Sequence, residues 1–227
     1  MTTEKRAPFK GALFDMDGLL LDSERACVDA FDANIRSFSL PDMPEVALAC
    51  IGLRADGVRA TVSAALAGRL EYEAFHQAWG QRISEAFSGG IPVKAGVFDV
   101  LEALKTQGTP CAVATSTRTV SAIEHLQRAG LEGYFEAIIG GDQVVRGKPA
   151  PDIYLKAAKA IGVSAPTCAA FEDSDPGTLA ALASGAVVVQ VPDVKPPSAA
   201  LLTRGHVIAK SVFAGALHIG LIRANHN

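Results

Sequence analysis

What most limits the fold of this chain is a change of texture near residue 93. From Val93 onward, short apolar runs alternate with segments of helical period. A helix predicted from about Gly96 to Thr106 leads to Cys111-Ala112-Val113-Ala114, and one over Val120–Ala129 leads to Ala137-Ile138-Ile139. A third, Asp152–Ile161, leads to Cys168-Ala169-Ala170-Phe171, and a fourth, Pro176–Ser184, to Ala186-Val187-Val188-Val189-Gln190-Val191. Runs that are apolar throughout, rather than at every second residue, suit strands buried on both faces. Strands separated by helices pair in parallel through right-handed crossovers. Gly11-Ala12-Leu13-Phe14 supplies an earlier strand, and Val207-Ile208 a last one.

Residues 24–88 read differently, because no β-run interrupts them. Helical patterns cover Glu24–Ser39, Glu45–Ile51, Asp56–Ala67 and Glu71–Phe87. In the first, Cys27, Ala30, Phe31, Ile35 and Phe38 approximate one apolar stripe. Pro41 and Pro44 punctuate the stretch, and Ser88-Gly89-Gly90-Ile91-Pro92 ends it as a linker. The expectation is an α/β protein with a doubly wound, Rossmann-like parallel-sheet core from residues 1–22 and 93–227. An all-helical cap, residues 23–92, is inserted with hinges near Leu21–Ser23 and Ser88–Pro92. A length of 227 residues allows a core of that size.

Charge narrows the function. The net charge of −3 leaves no basic footprint for nucleic acid, so an anion must be held by a few local cations. Cys27, Cys50, Cys111 and Cys168 form no C-x-x-C pair and no metal-site spacing. Cys111 and Cys168 adjoin apolar runs and read as small buried hydrophobes. That usage fits a reducing cytoplasm. Met1–Arg6 is polar, without a signal-peptide core. Val207–Ile222 is apolar but contains Lys210 and His218 and is too short to span a bilayer, so no membrane association is expected.

The chemistry gathers at strand ends, where open α/β sheets bind ligands. After the first strand comes Asp15-Met16-Asp17-Gly18. Two carboxylates one residue apart offer hard oxygen ligands for Mg²⁺, or a nucleophile and a proton donor. After Ala114 come Thr115-Ser116-Thr117, whose hydroxyls suit phosphoryl oxygens. Gly147-Lys148-Pro149-Ala150-Pro151-Asp152 sets one lysine in a stiff frame that aims its ammonium. Glu172-Asp173 ends another apolar run, and adjacent carboxylates there call for a cation between them and the first aspartates. Gly147-Lys148 is not a P-loop, because proline follows the lysine and Gly141 lies one residue too far upstream.

The order Asp-x-Asp-Gly, Thr/Ser, Lys, Glu-Asp resembles the four signatures of the haloacid dehalogenase-like superfamily over nearly the whole chain. The helical insert resembles its C1 cap. Phe14-Asp-Met-Asp-Gly-Leu-Leu-Leu-Asp-Ser-Glu24 and Gly147-Lys-Pro-Ala-Pro-Asp-Ile153 are most similar to β-phosphoglucomutase-like sugar phosphatases and pseudouridine 5′-phosphatase. The resemblance implies a phosphomonoesterase acting on small phosphorylated metabolites, sugar phosphates or nucleotide-like ones. Asp15 would be the nucleophile that becomes an aspartyl-phosphate, and Asp17 the general acid and then base. Mg²⁺ would be held by Asp15, the Asp17 backbone carbonyl and Asp173, with Glu172 direct or through water. Thr115, Ser116 and Lys148 would bind the phosphoryl group.

The alternatives separate on single residues. A mutase of the β-phosphoglucomutase kind carries a cap-side histidine where this chain has Cys27. Dehalogenases and phosphonatases lack the second aspartate, which Asp17 supplies. A non-enzymatic binding protein would show a broken signature, and none is broken. In the insert, Arg54 of Gly52-Leu53-Arg54 lies where such caps present a residue to the substrate. Arg118 and Arg146 are lesser candidates. His76, His125, His206 and His218 show no ligand spacing, and Phe75 and Trp79 fit packing within the insert.

Overall fold

The computed structural model describes residues 9–223; the polar leader Met1–Arg6 lies outside them. Strand β1 (Gly11–Phe14) leads to four helices: α1 (Glu24–Ser37), α2 (Pro44–Ala49), α3 (Ala55–Leu66) and α4 (Tyr72–Ala86). Helices and strands then alternate: α5 (Val97–Gln107), β2 (Cys111–Ala114), α6 (Thr119–Arg128), β3 (Ala137–Ile139), α7 (Asp152–Ala160), β4 (Cys168–Glu172) and α8 (Asp175–Ala183). The chain continues through β5 (Val187–Gln190), α9 (Ala199–Leu202), β6 (Val207–Ile208) and α10 (Val212–His218).

The six strands form one parallel sheet in the order β3-β2-β1-β4-β5-β6. From β1 the chain winds outward one way, returns to the other side of β1 as β4, and winds outward again. That reversal opens a crevice at the carboxyl ends of β1 and β4, the expected ligand position of a doubly wound sheet. Alternate residues feed two cores. Phe14, Val113, Phe171 and Val189 pack toward α5, α6 and α10, while Leu13, Ala112, Ala170 and Val188 pack toward α7 and α8. Phe14 stacks on its register partner Phe171 at 5.1 Å. A buried ring of this kind is worth about 3–5 kcal/mol against alanine, so the strand carrying the two aspartates is firmly seated.

Helices α1–α4 have a core of their own. Phe31 meets Phe75 and Trp79 edge-on, each at 5.2 Å, with Ile35, Val62 and Leu66 around them. The Trp79 indole donates to the Cys27 carbonyl (3.1 Å), tying α4 to α1. The two connections to the sheet lie side by side. Asp22 N–H donates to Pro92 O (2.8 Å) and Lys94 N–H to Leu20 O (3.0 Å). The short helices α9 and α10 carry too little apolar period to be expected from the sequence. Tertiary burial of Leu201, Val212 and Ala216 holds them. No helix among the described residues is long and apolar enough to cross a membrane.

Candidate active site

β1 ends with Phe14, and the Asp15 N–H continues the ladder by donating to Phe171 O (3.0 Å). Asp15 is thus fixed by the sheet itself. Three residues on, Gly18 turns the chain at φ +76°, and a Cβ there would sit 2.6 Å from Asp173 Oδ2. Only glycine serves both needs. The turn closes when the N–H groups of Leu20 and Leu21 donate to Met16 O, at 2.9 and 3.0 Å. Asp17 is left facing the loop after β2.

That loop holds Asp17. Thr117 Oγ1 donates to Asp17 Oδ2 (2.7 Å), Thr115 Oγ1 to the same oxygen (3.5 Å), and Ser23 Oγ to Asp17 Oδ1 (2.9 Å). Three hydroxyls from two segments therefore fix both oxygens of one carboxylate. Ser116, between the two threonines, donates instead to the carbonyl of Gly52 in the insert (3.0 Å).

Lys148 is buried and reaches Asp15 Oδ1 (2.5 Å) and Glu172 Oε1. Burial alone would lower its pKa, but the carboxylates of Asp15 and Glu172 outweigh burial and raise it, so the ammonium stays charged. The ring of Tyr154 lies beneath it at 5.4 Å, and the Tyr154 hydroxyl donates to Glu172 Oε1 (2.8 Å). The other oxygen of Glu172 accepts from the N–H groups of Asp173 (3.1 Å) and Ser174 (3.2 Å) and from Ser174 Oγ (3.0 Å). Glu172 also lies at the start of α8, where the helix dipole favours negative charge. With five donors upon it, this carboxylate works chiefly as an anchor for Lys148.

The other acids are under strain of charge. Burial first, then repulsion from Glu172, pushes the Asp15 carboxyl up to about 7 despite Lys148. Burial, then Glu24, Glu172 and Asp15, raises Asp173 well above the carboxylate range. Asp173 Oδ1 is buried without a hydrogen-bond partner. Asp15, Glu172 and Asp173 each offer an oxygen, all within 4.8 Å of one another. A buried, oxygen-only cluster with more negative charge than Lys148 can balance fits a hard divalent cation.

Above this floor, a cavity of about 260 Å³ extends beneath the insert. Asp15, Asp17, Thr115, Ser116 and Lys148 all line it. Arg54 does not. Its guanidinium donates to the carbonyls of Val144 (3.4 Å) and Val145 (3.1 Å) on the core, and its stem packs over Gly147. The predicted cap contact thus takes the form of a clasp between insert and core. Arg146 is engaged by Asp152 at 2.9 and 2.8 Å, and Arg118 is exposed.

A family model described as haloacid dehalogenase-like hydrolase matches residues 9–185. The chain belongs to this family. It is 32% identical over 78% of its length to the phosphorylated carbohydrates phosphatase of Thermotoga maritima, covering 82% of that protein. It is 34% identical to hexitol phosphatase A of Escherichia coli, over 80% of this chain and 82% of that one. Among solved structures, a haloacid dehalogenase-like hydrolase of Deinococcus radiodurans R1 with bound phosphate and sodium superposes with a TM-score of 0.75. It is 30% identical and covers 96% of this chain and 99% of its own.

Within the family frame, three residues of this site carry no expected role in the sequence: Ser23, Glu24 and Tyr154. Ser23 binds Asp17, and so does Thr117, whose hydroxyl is expected on a phosphoryl oxygen and is turned to that carboxylate instead. Glu24 closed the first motif and proves to be buried beside Asp15, Asp17 and Asp173. Tyr154 gave no signal at all. It lies inside an ordinary helix pattern, and only the packing of α7 brings its hydroxyl to Glu172.

Proposed function

We propose that this hydrolase, a phosphatase by family, cleaves phosphate monoesters of small metabolites in the cytoplasm through an aspartyl-phosphate on Asp15, with Mg²⁺. The observation that carries the reading is the division of labour between the two aspartates. Asp15 is seated on the sheet and paired with Lys148, while Asp17, two residues away, is gripped by three hydroxyls. One carboxylate is positioned to bond and the other to move a proton.

In the first step an oxygen of Asp15 attacks phosphorus and the ester P–O bond breaks. Asp17 gives its proton to the departing alkoxide. In the second step Asp17, now a carboxylate, takes a proton from water as that water attacks phosphorus. The Asp15–phosphorus bond breaks, releasing inorganic phosphate and restoring Asp15. Lys148, Thr115 and Ser116 bind the phosphoryl oxygens, and pre-placed charge of this kind supplies most of the catalysis in phosphoryl transfer. Asp15, Asp173 and the Asp17 backbone carbonyl would hold Mg²⁺, with Glu172 direct or through water. When bound, Mg²⁺ supplies the positive charge that lets a carboxylate approach a dianionic ester.

The mutase reading is less well supported. Cys27 lines the cavity where a mutase carries its cap-side histidine. Burial, then Asp17 and Glu24, pushes its thiol up to about 12, so it offers neither charge nor a strong hydrogen bond there. The four free cysteines suit the cytoplasmic assignment.

The test is a rapid acid quench of Asp17→Asn turning over p-nitrophenyl phosphate with Mg²⁺. This leaving group needs little protonation, so transfer to Asp15 continues while hydrolysis slows by about 10²–10⁴-fold. A phosphoryl adduct on Asp15 is expected. A burst of p-nitrophenol without any adduct would falsify the covalent route.

A further inference from the structure

The cavity has two unlike walls. The sheet side carries every group used above on the phosphoryl unit. The side given by residues 27–87 is apolar: Val28, Ile51, Leu53, Trp79, Ile83 and Phe87, with the thiols of Cys27 and Cys50 among them. Both thiols are neutral, since burial holds them up at about 12 and about 11. No lysine or arginine of the insert lines the cavity. Arg54 is spent on Val144 and Val145, Arg82 on Asn34 Oδ1 (3.3 Å), and Arg59 on Glu73 (2.7 Å). Beyond the phosphoryl floor, the polar side chains on the wall are Ser23, Glu24, Thr117 and His125. Ser23 and Thr117 are already bound to Asp17.

A sugar or polyol would bury several hydroxyls against this wall with few partners, and each unpaired polar group costs affinity. A second phosphate would meet no cation. An apolar body, by contrast, gains from every carbon it takes out of water. We propose that the leaving alcohol of the natural substrate is predominantly apolar, a compact aliphatic or aromatic group bearing one phosphate and at most one or two hydroxyls. This assignment of substrate class rests on the phosphatase reading above. Glu24 Oε2 and His125 Nδ1, both buried without hydrogen-bond partners, are the places where a lone hydroxyl would be matched.

The test compares benzyl phosphate with glucose 6-phosphate. Both are esters of a primary alcohol, so leaving-group acidity does not decide between them. With Mg²⁺, benzyl phosphate should have a kcat/KM at least about tenfold higher, the least that burying such a group is worth. Val28→Asn should shrink that preference severalfold. Equal rates, or a preference for the sugar, with acetyl phosphate still cleaved, overturn the substrate class and leave the phosphatase reading standing. Acetyl phosphate is too small to need the apolar wall, so its survival together with the benzyl and sugar esters overturns the phosphatase reading instead. The substrate class is then decided by binding. Trp79 is the single tryptophan of the chain, and its fluorescence reports titrations with benzylphosphonate and with the phosphonate analogue of glucose 6-phosphate. At least tenfold tighter binding of benzylphosphonate sustains the proposal, and equal binding overturns it.

Discussion

The floor of the cavity and its roof are built on opposite principles. On the floor, Asp15, Asp17 and Glu172 sit at strand ends and Lys148 in the loop before α7, and each is held by hydrogen bonds from another segment. The roof makes almost no polar demand. Its side chains are continuous with the insert's own core, so Trp79 packs on Phe31 and lines the cavity at once. A polar floor must be placed accurately, because an unpaired buried charge costs several kcal/mol. An apolar roof need only be the right shape, and can change its lining without disturbing the chemistry below. A fixed floor under a roof of free composition would let one set of polar groups serve different leaving groups.

Three substitutions press on that contrast, beginning with the most severe. Asp15→Asn removes the proposed nucleophile from the floor and should lower turnover by about 10⁴-fold or more, with no phosphoenzyme on acid quench. Retention of a tenth of wild-type turnover would mean that the floor does not carry the reaction.

Glu24→Gln acts at the seam, in the first turn of α1. Burial first, then Asp15, Asp17 and Asp193, pushes the Glu24 carboxyl up to about 8, with a hydrogen bond to Asp173 opposing. In the fold it keeps a proton that the unfolded chain gives up near 4.5. Metal-free stability should therefore fall as pH rises from about 4.5 to about 8 and level off above. The glutamine variant should flatten that decline, gaining several degrees at pH 8.5, since each kcal/mol is worth about 2–4 °C in a chain of this size. Thermal melts in EDTA at pH 5.5 and 8.5 measure this, and parallel curves for the two proteins would contradict it.

Ser116→Ala should give the smallest change. Ser116 Oγ spans floor and roof through Gly52 O. Its loss should reduce kcat/KM by about 2–10-fold, the worth of one neutral hydrogen bond. A drop near 10³-fold would move Ser116 fully onto the floor, as a main phosphate ligand.

Much of this molecule was legible in the chain. Strands such as Cys168–Phe171 were readable because a strand buried on both faces must be apolar at every residue, and that pattern survives without any tertiary information. Asp15, Asp17, Thr115 and Glu172-Asp173 were readable as a set, since a parallel sheet brings the residues just after its strands to one edge whatever the helices between them do. Lys148, in the loop before α7, was readable from its stiff Gly-Lys-Pro setting. Helices α9 and α10 were missed for the converse reason. They hold by burial of Leu201, Val212 and Ala216, and their short sequences show no period long enough to detect.

What the chain alone settled is therefore the local and periodic part: the parallel α/β core, the helical stretch inserted after the first strand, and the residues standing at strand ends. Only the tertiary structure decided how those residues are used. It filled Glu172 with donors, joined the hydroxyls of Ser23 and Thr117 on Asp17, and brought Tyr154 under Lys148. It also turned Arg54 from a candidate substrate contact into a clasp on Val144 and Val145, leaving the roof without a cation. These are pairings between residues as many as 100 positions apart. Hydrogen bonds and burial depend on distance in space, which no spacing along the sequence encodes.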